Sequence, residues 1–216
     1  MKIALLHTAD VHIATFDELL EAAGFQGTVE HRVRADLLER ARGEGIEAVR
    51  EETLTEIGAL AGADAVICTC STLGSIADEV AHTKSHVFRI DRPVMESACA
   101  AGRDIVVAIC LESTKEPTLD LLADCAAQLG ADVAPRLVLC DAAWPSFESG
   151  DMLGFAASIA ASIKADIIQH GRPDCIVLAQ ASMRVAEPRL AGIGVPVMSS
   201  PERAARRAIE IASGVN

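Results

Sequence analysis

Short aliphatic runs alternate along the chain with longer stretches in which apolar residues recur every three or four positions. KIALLHT (2–8), DAVICT (64–69), DIVVAIC (104–110), RLVLCD (136–141), DCIVLAQ (174–180) and VPVMSS (195–200) read as buried strands. TFDELLEAAG (15–24) predicts a helix opened by Thr15 and closed by Gly24, and TLDLLADCAAQLG (118–130) one closed by Gly130. Residues 32–60 carry helical spacing interrupted near Gly43–Gly45. STLGSIADEVAH predicts a helix directly after Cys70, and DRPVMESACAAG one with Asp91 as N-cap and Pro93 in its first turn. GDMLGFAASIAASIKA and PERAARRAIEIASG complete the helices, the last capped by Ser200. Regular strand–helix alternation predicts an α/β fold with parallel strands.

The pattern contains an echo. Asp64-Ala-Val-Ile-Cys-Thr-Cys70-Ser-Thr72 lies over Asp174-Cys-Ile-Val-Leu-Ala-Gln180-Ala-Ser182, and IALLHT resembles IVVAIC about a hundred residues on. Two buried parallel strands of any origin share this look, so the echo suits either generic strands or two similar halves. In open α/β sheets ligands bind beyond the carboxyl ends of the strands. With two halves, Cys70 and Gln180 would both address one ligand.

Composition narrows the function classes. The core must be aliphatic, since the 216 residues hold five Phe, one Trp and no Tyr. A net charge of −12 with no basic, aromatic-interleaved patch argues against nucleic-acid binding. No apolar run reads as a membrane span of about 20 residues, and the N-terminus reads as a strand, not a leader; a cytoplasmic protein is expected. Seven cysteines without a repeating spacing argue against a disulfide framework, and C-x-C without a second ligand pair argues against zinc. No metal site is expected. His82 and His86 are four apart without a third ligand, and Gly192-Ile-Gly194 precedes Val-Pro-Val, not a helix.

The strand-end thiol is the chemical feature. Cys68 lies inside the aliphatic run and reads as core. Cys70 ends the run, where a following helix N-terminus favours a thiolate and free N–H groups can hold a carboxylate. Its alternative is one more buried cysteine.

Cys70-Ser71-Thr72 resembles the Cys-Asn/Ser-Thr motif of the aspartate/glutamate/hydantoin racemase superfamily. IALLHT, IDRPVMESA (90–98), EPTLDLL (116–122), DCIVLAQASM (174–183) and VPVMSSP (195–201) extend the likeness along nearly the whole chain. The resemblance implies two pseudo-symmetric, doubly wound parallel-sheet lobes with the active site in the cleft between them. These are residues 1–97 plus 198–216, and 98–197. It implies cofactor-independent chemistry at the carbon α to a carboxylate of a small acid. Dimers are common among proteins of this likeness, so the resemblance allows a homodimer, while the sequence does not set the oligomeric state. Racemases of this kind carry a cysteine in each lobe, and the second belongs where this chain has Gln180. Cys175 stands five residues too early to replace it.

One thiol can still move one proton on one face of a carbon acid. That suits decarboxylation with reprotonation, elimination or tautomer-type isomerisation. Racemisation needs a second acid/base, for which His7, Asp10 and Glu116 are candidates. Thr8, Ser71, Thr72, Ser113, Thr114 and Ser182 are the expected carboxylate-binding hydroxyls, with Gln180 orienting substrate or water. By the same resemblance Pro93 and Met95 line the cleft. A protein that binds a small carboxylate without turnover is the alternative.

Overall fold

The computed structural model describes residues 1–214. The chain forms two compact units, Met1–Asp91 with the segment from Pro201 onward, and Arg92–Ser200. These breaks fall at 91/92 and 200/201, where the expected lobes divide at 97/98 and 197/198.

The first unit runs β1 (Lys2–His7), α1 (Val11–Ala22), β2 (Thr28–Val33), α2 (Ala35–Glu44), α3 (Arg50–Leu60), β3 (Ala65–Cys68), α4 (Gly74–Ala81) and β4 (Val87–Arg89). The second runs α5 (Arg92–Ala101), β5 (Asp104–Ile109), α6 (Lys115–Leu129), β6 (Ala134–Leu139), α7 (Trp144–Glu148), α8 (Met152–His170), β7 (Cys175–Leu178), α9 (Glu187–Leu190) and β8 (Val197–Ser199). Helix α10 (Ser200–Ala212) follows. The strand orders are β2-β1-β3-β4 and β6-β5-β7-β8, with all pairs parallel. The second sheet therefore repeats the first.

Both faces of each sheet are covered, as parallel strands require. In the first sheet Ala4, Leu6, Val66 and Cys68 pack with Leu37, Ile57, Leu60 and Ile76. The opposite face presents Ile3, Leu5 and Ile67, all wholly buried. In the second sheet Val106, Ala108, Ile176 and Leu178 pack with Phe155, Ile159 and Ile163 of α8. Ile105, Val107, Ile109 and Val177 pack with Val94, Met95 and Ala98 of α5 and with Leu121 and Leu122 of α6.

Several elements differ from the sequence reading. Helix α1 starts at Val11, so Thr15 lies inside it and donates its hydroxyl to the Val11 carbonyl at 3.2 Å. Strand β2, Thr-Val-Glu-His-Arg-Val, was not expected, because an edge strand needs no continuous apolar run. Strand β4 is only three residues long and was likewise missed. Helix α8 has the length and the mean hydropathy (1.3) of a membrane-crossing helix, which the reading of apolar runs overlooked. It carries Lys164 and Asp166, packs its buried face on the second sheet, and pairs Asp166 with Arg136 of β6 at 2.8 Å.

That packing predicts a contrast along α8. Phe155 is wholly buried and Ile168 is 87% exposed. Phe155→Ala is expected to cost about 3–5 kcal/mol through the cavity it leaves. Ile168→Ala should stay within about 0.5 kcal/mol. Urea midpoints of the two variants measure the difference.

Candidate functional site

Strand register sets the site. In the first sheet Leu6 pairs with Cys68, and the Thr69 N–H donates to the Leu6 carbonyl at 2.9 Å. In the second sheet Ala108 pairs with Leu178, and the Ala179 N–H donates to the Ala108 carbonyl at 3.0 Å. Counting one residue on, Cys70 and Gln180 occupy equivalent positions past the ends of β3 and β7. The other end of the echo repeats as well. Asp64 N–H donates to the Lys2 carbonyl and its carboxylate accepts from Lys2 N–H (2.8 and 2.7 Å). Asp174 makes the same two bonds with Asp104 (2.7 and 2.9 Å). The sequence echo is thus a repeated strand pair with repeated aspartate ties.

Cys70 is 7% exposed, and Ser71 and Thr72 beside it are half-buried. Residues 71–73 form a turn, and α4 begins only at Gly74. The sequence reading had the helix start directly after Cys70. The turn instead separates the thiol from the positive end of the helix dipole. Among the described residues, the Ser71 and Thr72 N–H groups donate to no backbone carbonyl, which leaves them available to an anion. Cys68 is core: it is wholly buried, its thiol points at the Cys70 carbonyl (3.8 Å), and burial pushes its pKa up to about 12.

A buried cation holds this turn. Arg89, the last residue of β4, is 3% exposed. Its guanidinium donates to both oxygens of Asp91 (2.5 and 3.0 Å), to Asp78 of α4 (3.2 Å) and to the Ser71 carbonyl (3.3 Å). Burial works against the charge, but Asp91 and then Asp78 outweigh it and raise the pKa. Gly74 makes the room: a Cβ there would lie 2.5 Å from Arg89 Nε. Sequence reading passed over Arg89, whose signal was a lone cation inside Val-Phe-Arg-Ile.

The turn is tied on its other side to a row of imidazoles. His7, the last residue of β1, is wholly buried. Its Nδ1 lies 2.8 Å from Thr69 Oγ1, and its Nε2 lies 2.8 Å from Nδ1 of His31 on β2. His31 Nε2 lies 3.0 Å from an oxygen of Asp17 on α1. Burial, and then the neighbouring His31 and His12, depress the His7 pKa to about 3. Both ring nitrogens of His7 are thus occupied within the first unit.

The remaining candidates are placed as follows. Thr8 is buried just past β1, and Asp10 is exposed before α1. Ser113 is exposed, while Thr114 is buried and donates its hydroxyl to the Leu111 carbonyl at 2.7 Å. Glu116 lies exposed in the first turn of α6, beyond a 3-10 segment instead of at a strand end. Gln180 is half-buried, and its Oε1 accepts from the Cys110 N–H at 2.5 Å, which leaves its amide NH2 for a ligand. Ser182 is half-buried in the 3-10 turn after β7. Met95 is wholly buried in the core of the second unit, and Pro93 is buried beside it in α5. Cys175 is buried at the opposite end of β7 from Gln180. His82 and His86 face separate carbonyls, those of Asp78 and Ala61.

Two outcomes are expected. Gly74→Ala should displace Arg89 from Asp91 or Ser71, at a cost of about 1–3 kcal/mol. It should also change the alkylation rate of Cys70, read by mass spectrometry of the labelled peptide. Separately, the unfolded chain protonates His7 below about pH 6.5, while the folded chain resists down to about pH 3. The resulting stability is therefore fully present above pH 6.5 and falls as the pH drops from there toward 3. By pH 5 the loss is about 2 kcal/mol. His7→Gln should flatten that slope in urea unfolding at the two pH values.

No protein-family model and no curated protein matches the chain. Solved structures do. A glutamate racemase isoform from Bacillus anthracis is 14% identical, with 99% of this chain and 82% of that one covered, at a TM-score of 0.72. An aspartate racemase homologue from Pyrococcus horikoshii is 18% identical over 98% and 99% of the two chains, at 0.67. An arylmalonate decarboxylase is 15% identical over 100% and 94%, at 0.60. The chain has the fold of the aspartate/glutamate/hydantoin racemase superfamily, a fold found in both racemases and decarboxylases.

Proposed function

We propose that this protein is an enzyme that moves a proton at the carbon α to the carboxylate of a small acid, without a cofactor, and that Cys70 is the acid/base. One observation carries the reading: equivalent strand ends bear a thiol at Cys70 and an amide at Gln180. An amide neither gives nor takes a proton at useful pH, but its NH2 donates hydrogen bonds. A single thiol therefore serves one face of the α-carbon, which favours decarboxylation or elimination with protonation on that face over two-base racemisation. Ser71, Thr72 and the free N–H groups of their turn would bind the carboxylate and stabilise the enediolate. Thr8 and Ser182, with the Gln180 NH2, are the further proposed contacts. The occupied nitrogens of His7 weigh against it as a second base, which leaves Asp10 and Glu116.

Proton NMR in D₂O with a panel of amino, hydroxy and dicarboxylic acids, malonates included, tests this. Exchange with retained configuration, or a decarboxylated or eliminated product, is expected from the wild type. Cys70→Ala should lose at least about 100-fold in that rate. Full turnover in Cys70→Ala would remove the thiol from the mechanism, and binding without any turnover would favour a non-catalytic carboxylate-binding protein. Gln180→Cys restores a thiol at the equivalent strand end, and exchange with inversion should then appear beside retention.

A further inference from the structure

Four side chains, three from separate elements and one from a loop, form one continuous row in the first unit: Asp17 of α1, His31 of β2, His7 of β1 and Thr69 just past β3. The row is built by the sheet. Leu5 pairs with His31 and His7 with Val33, so the two histidines are diagonal neighbours on one face. Their ring planes differ by 16° and their centroids lie 5.1 Å apart, which is an edge-to-edge contact through nitrogen. The inner end is buried, with His7 at 0% and Thr69 at 3% exposure. The outer end reaches solvent through Asp17, whose side chain is 56% exposed.

The donors and acceptors of this row can be counted. The Asp17 carboxylate only accepts, so His31 Nε2 carries a hydrogen. When His31 is neutral its Nδ1 accepts. His7 must then donate from Nε2, and its Nδ1 accepts from the Thr69 hydroxyl. When His31 is protonated its Nδ1 donates. His7 Nε2 must then accept, and His7 Nδ1 donates to Thr69 Oγ1. The Thr69 hydroxyl must turn its hydrogen elsewhere, and the Leu6 carbonyl stands 3.1 Å away to receive it. Every contact is satisfied in both states. They differ by one proton taken from solvent, by the tautomer of His7 and by the direction of the Thr69 hydroxyl.

We propose that Asp17, His31 and His7 form a proton-linked positioning device that reports protonation of His31 to Thr69, and through its backbone to Cys70. The Leu6 carbonyl already accepts the Thr69 N–H at 2.9 Å, the bond that sets where β3 ends. Adding or withdrawing the hydroxyl bond at the same oxygen changes how firmly that end is held. Thr69 and Cys70 face opposite sides of the sheet, so the coupling runs through the main chain and not through side-chain contact. His7, Thr69 and His31 are positioning residues. The functional consequence rests on the proposed role of Cys70, whereas the switch itself does not.

The surroundings of His7 disfavour a charge on its ring. His12 of α1 is a further titratable group beside His7, with ring centroids 6.3 Å apart, and burial lowers its own pKa. Phe16 of α1 supplies an apolar wall at 5.9 Å. On the β2 side, Arg34 follows the strand but is engaged by Asp36, Glu52 and Glu56. Glu30 and Arg32 alternate with His31 and pair with Lys2 and Glu56. Among the described residues, Asp17 is the one carboxylate bonded to the row. Burial and the neighbouring His31 and His12 keep His7 neutral down to about pH 3, so it relays the signal as a tautomer and not as a charge.

Long-range proton–nitrogen NMR of the uniformly ¹⁵N-labelled full chain, titrated between about pH 5 and 9, reads tautomer and charge at each histidine. His7 should remain neutral throughout. It should pass from the Nε2–H to the Nδ1–H form with the midpoint at which His31 gains its proton. The amides of Thr69, Cys70 and Ser71 should shift with the same midpoint. Asp17→Asn removes the carboxylate at an exposed position, and it should move that midpoint for all of these signals together. Thr69→Val should keep the His31 titration but lose the Cys70 and Ser71 response, while Thr69→Ser should keep both. A His7 tautomer that is constant while His31 titrates overturns the proposal, as does a Cys70 amide indifferent to that titration. Cys70→Ala turnover decides the proposed catalysis separately, since the histidine titration reads the switch without any substrate.

Discussion

Two hydrogen bonds between parallel strands govern the placement of Thr69, Cys70 and Gln180: Thr69 N–H to Leu6 carbonyl, and Ala179 N–H to Ala108 carbonyl. Side chains in a strand alternate with a period of two, so a slip of one residue would send each to the opposite face. With this register Cys68 and Cys70 face the packing of α2, α3 and α4, while His7 and Thr69 face α1. The same register in the second sheet puts Gln180 where the first has Cys70. The asymmetry between thiol and amide is therefore one of chemistry on a repeated backbone.

The turn after β3 shows how a site of small polar groups is kept in shape. Ser and Thr hydroxyls cannot lock a loop on their own, because each bond they make is worth only about 1 kcal/mol. A buried cation can. Arg89 is removed from water, so its bonds to Asp91, Asp78 and the Ser71 carbonyl replace its hydration, and losing one of them leaves a buried donor unsatisfied. The glycine at the start of α4 belongs to the same arrangement, since any side chain there would occupy the guanidinium's place. On the other face the imidazole row fastens Thr69. The Cys70 turn is thus held by a charged cluster on one side and the imidazole row on the other.

Much of the architecture was legible from the chain itself. The aliphatic runs found both central strand pairs, because a strand buried on two faces can carry little else. The match of Asp64 with Asp174 left generic strands and a repeat both open, and the structure shows a repeat, since each aspartate makes the same pair of bonds to the start of the neighbouring strand. Gly130 was readable as a helix stop and adopts the left-handed conformation there. Strand β2 was not legible: on an edge, Glu30 and Arg32 satisfy its solvent side with ion pairs and leave no apolar pattern. Thr15 misled because a threonine inside a helix can bond back to the preceding turn, and nothing local distinguishes that use from a cap.

By itself the sequence determined the α/β class and the presence of a thiol at the end of one buried strand and an amide at the end of another. Those features depend on residue type and spacing within a few positions, which a linear pattern records. Only the tertiary structure decided that His7 spends both nitrogens on Thr69 and His31, that Arg89 braces the Cys70 turn, and that Gln180 uses its oxygen on the Cys110 N–H. Each of these joins residues between 18 and 70 positions apart or in different elements. Parallel strands meet only through long crossovers, so their contacts leave no local trace in the chain.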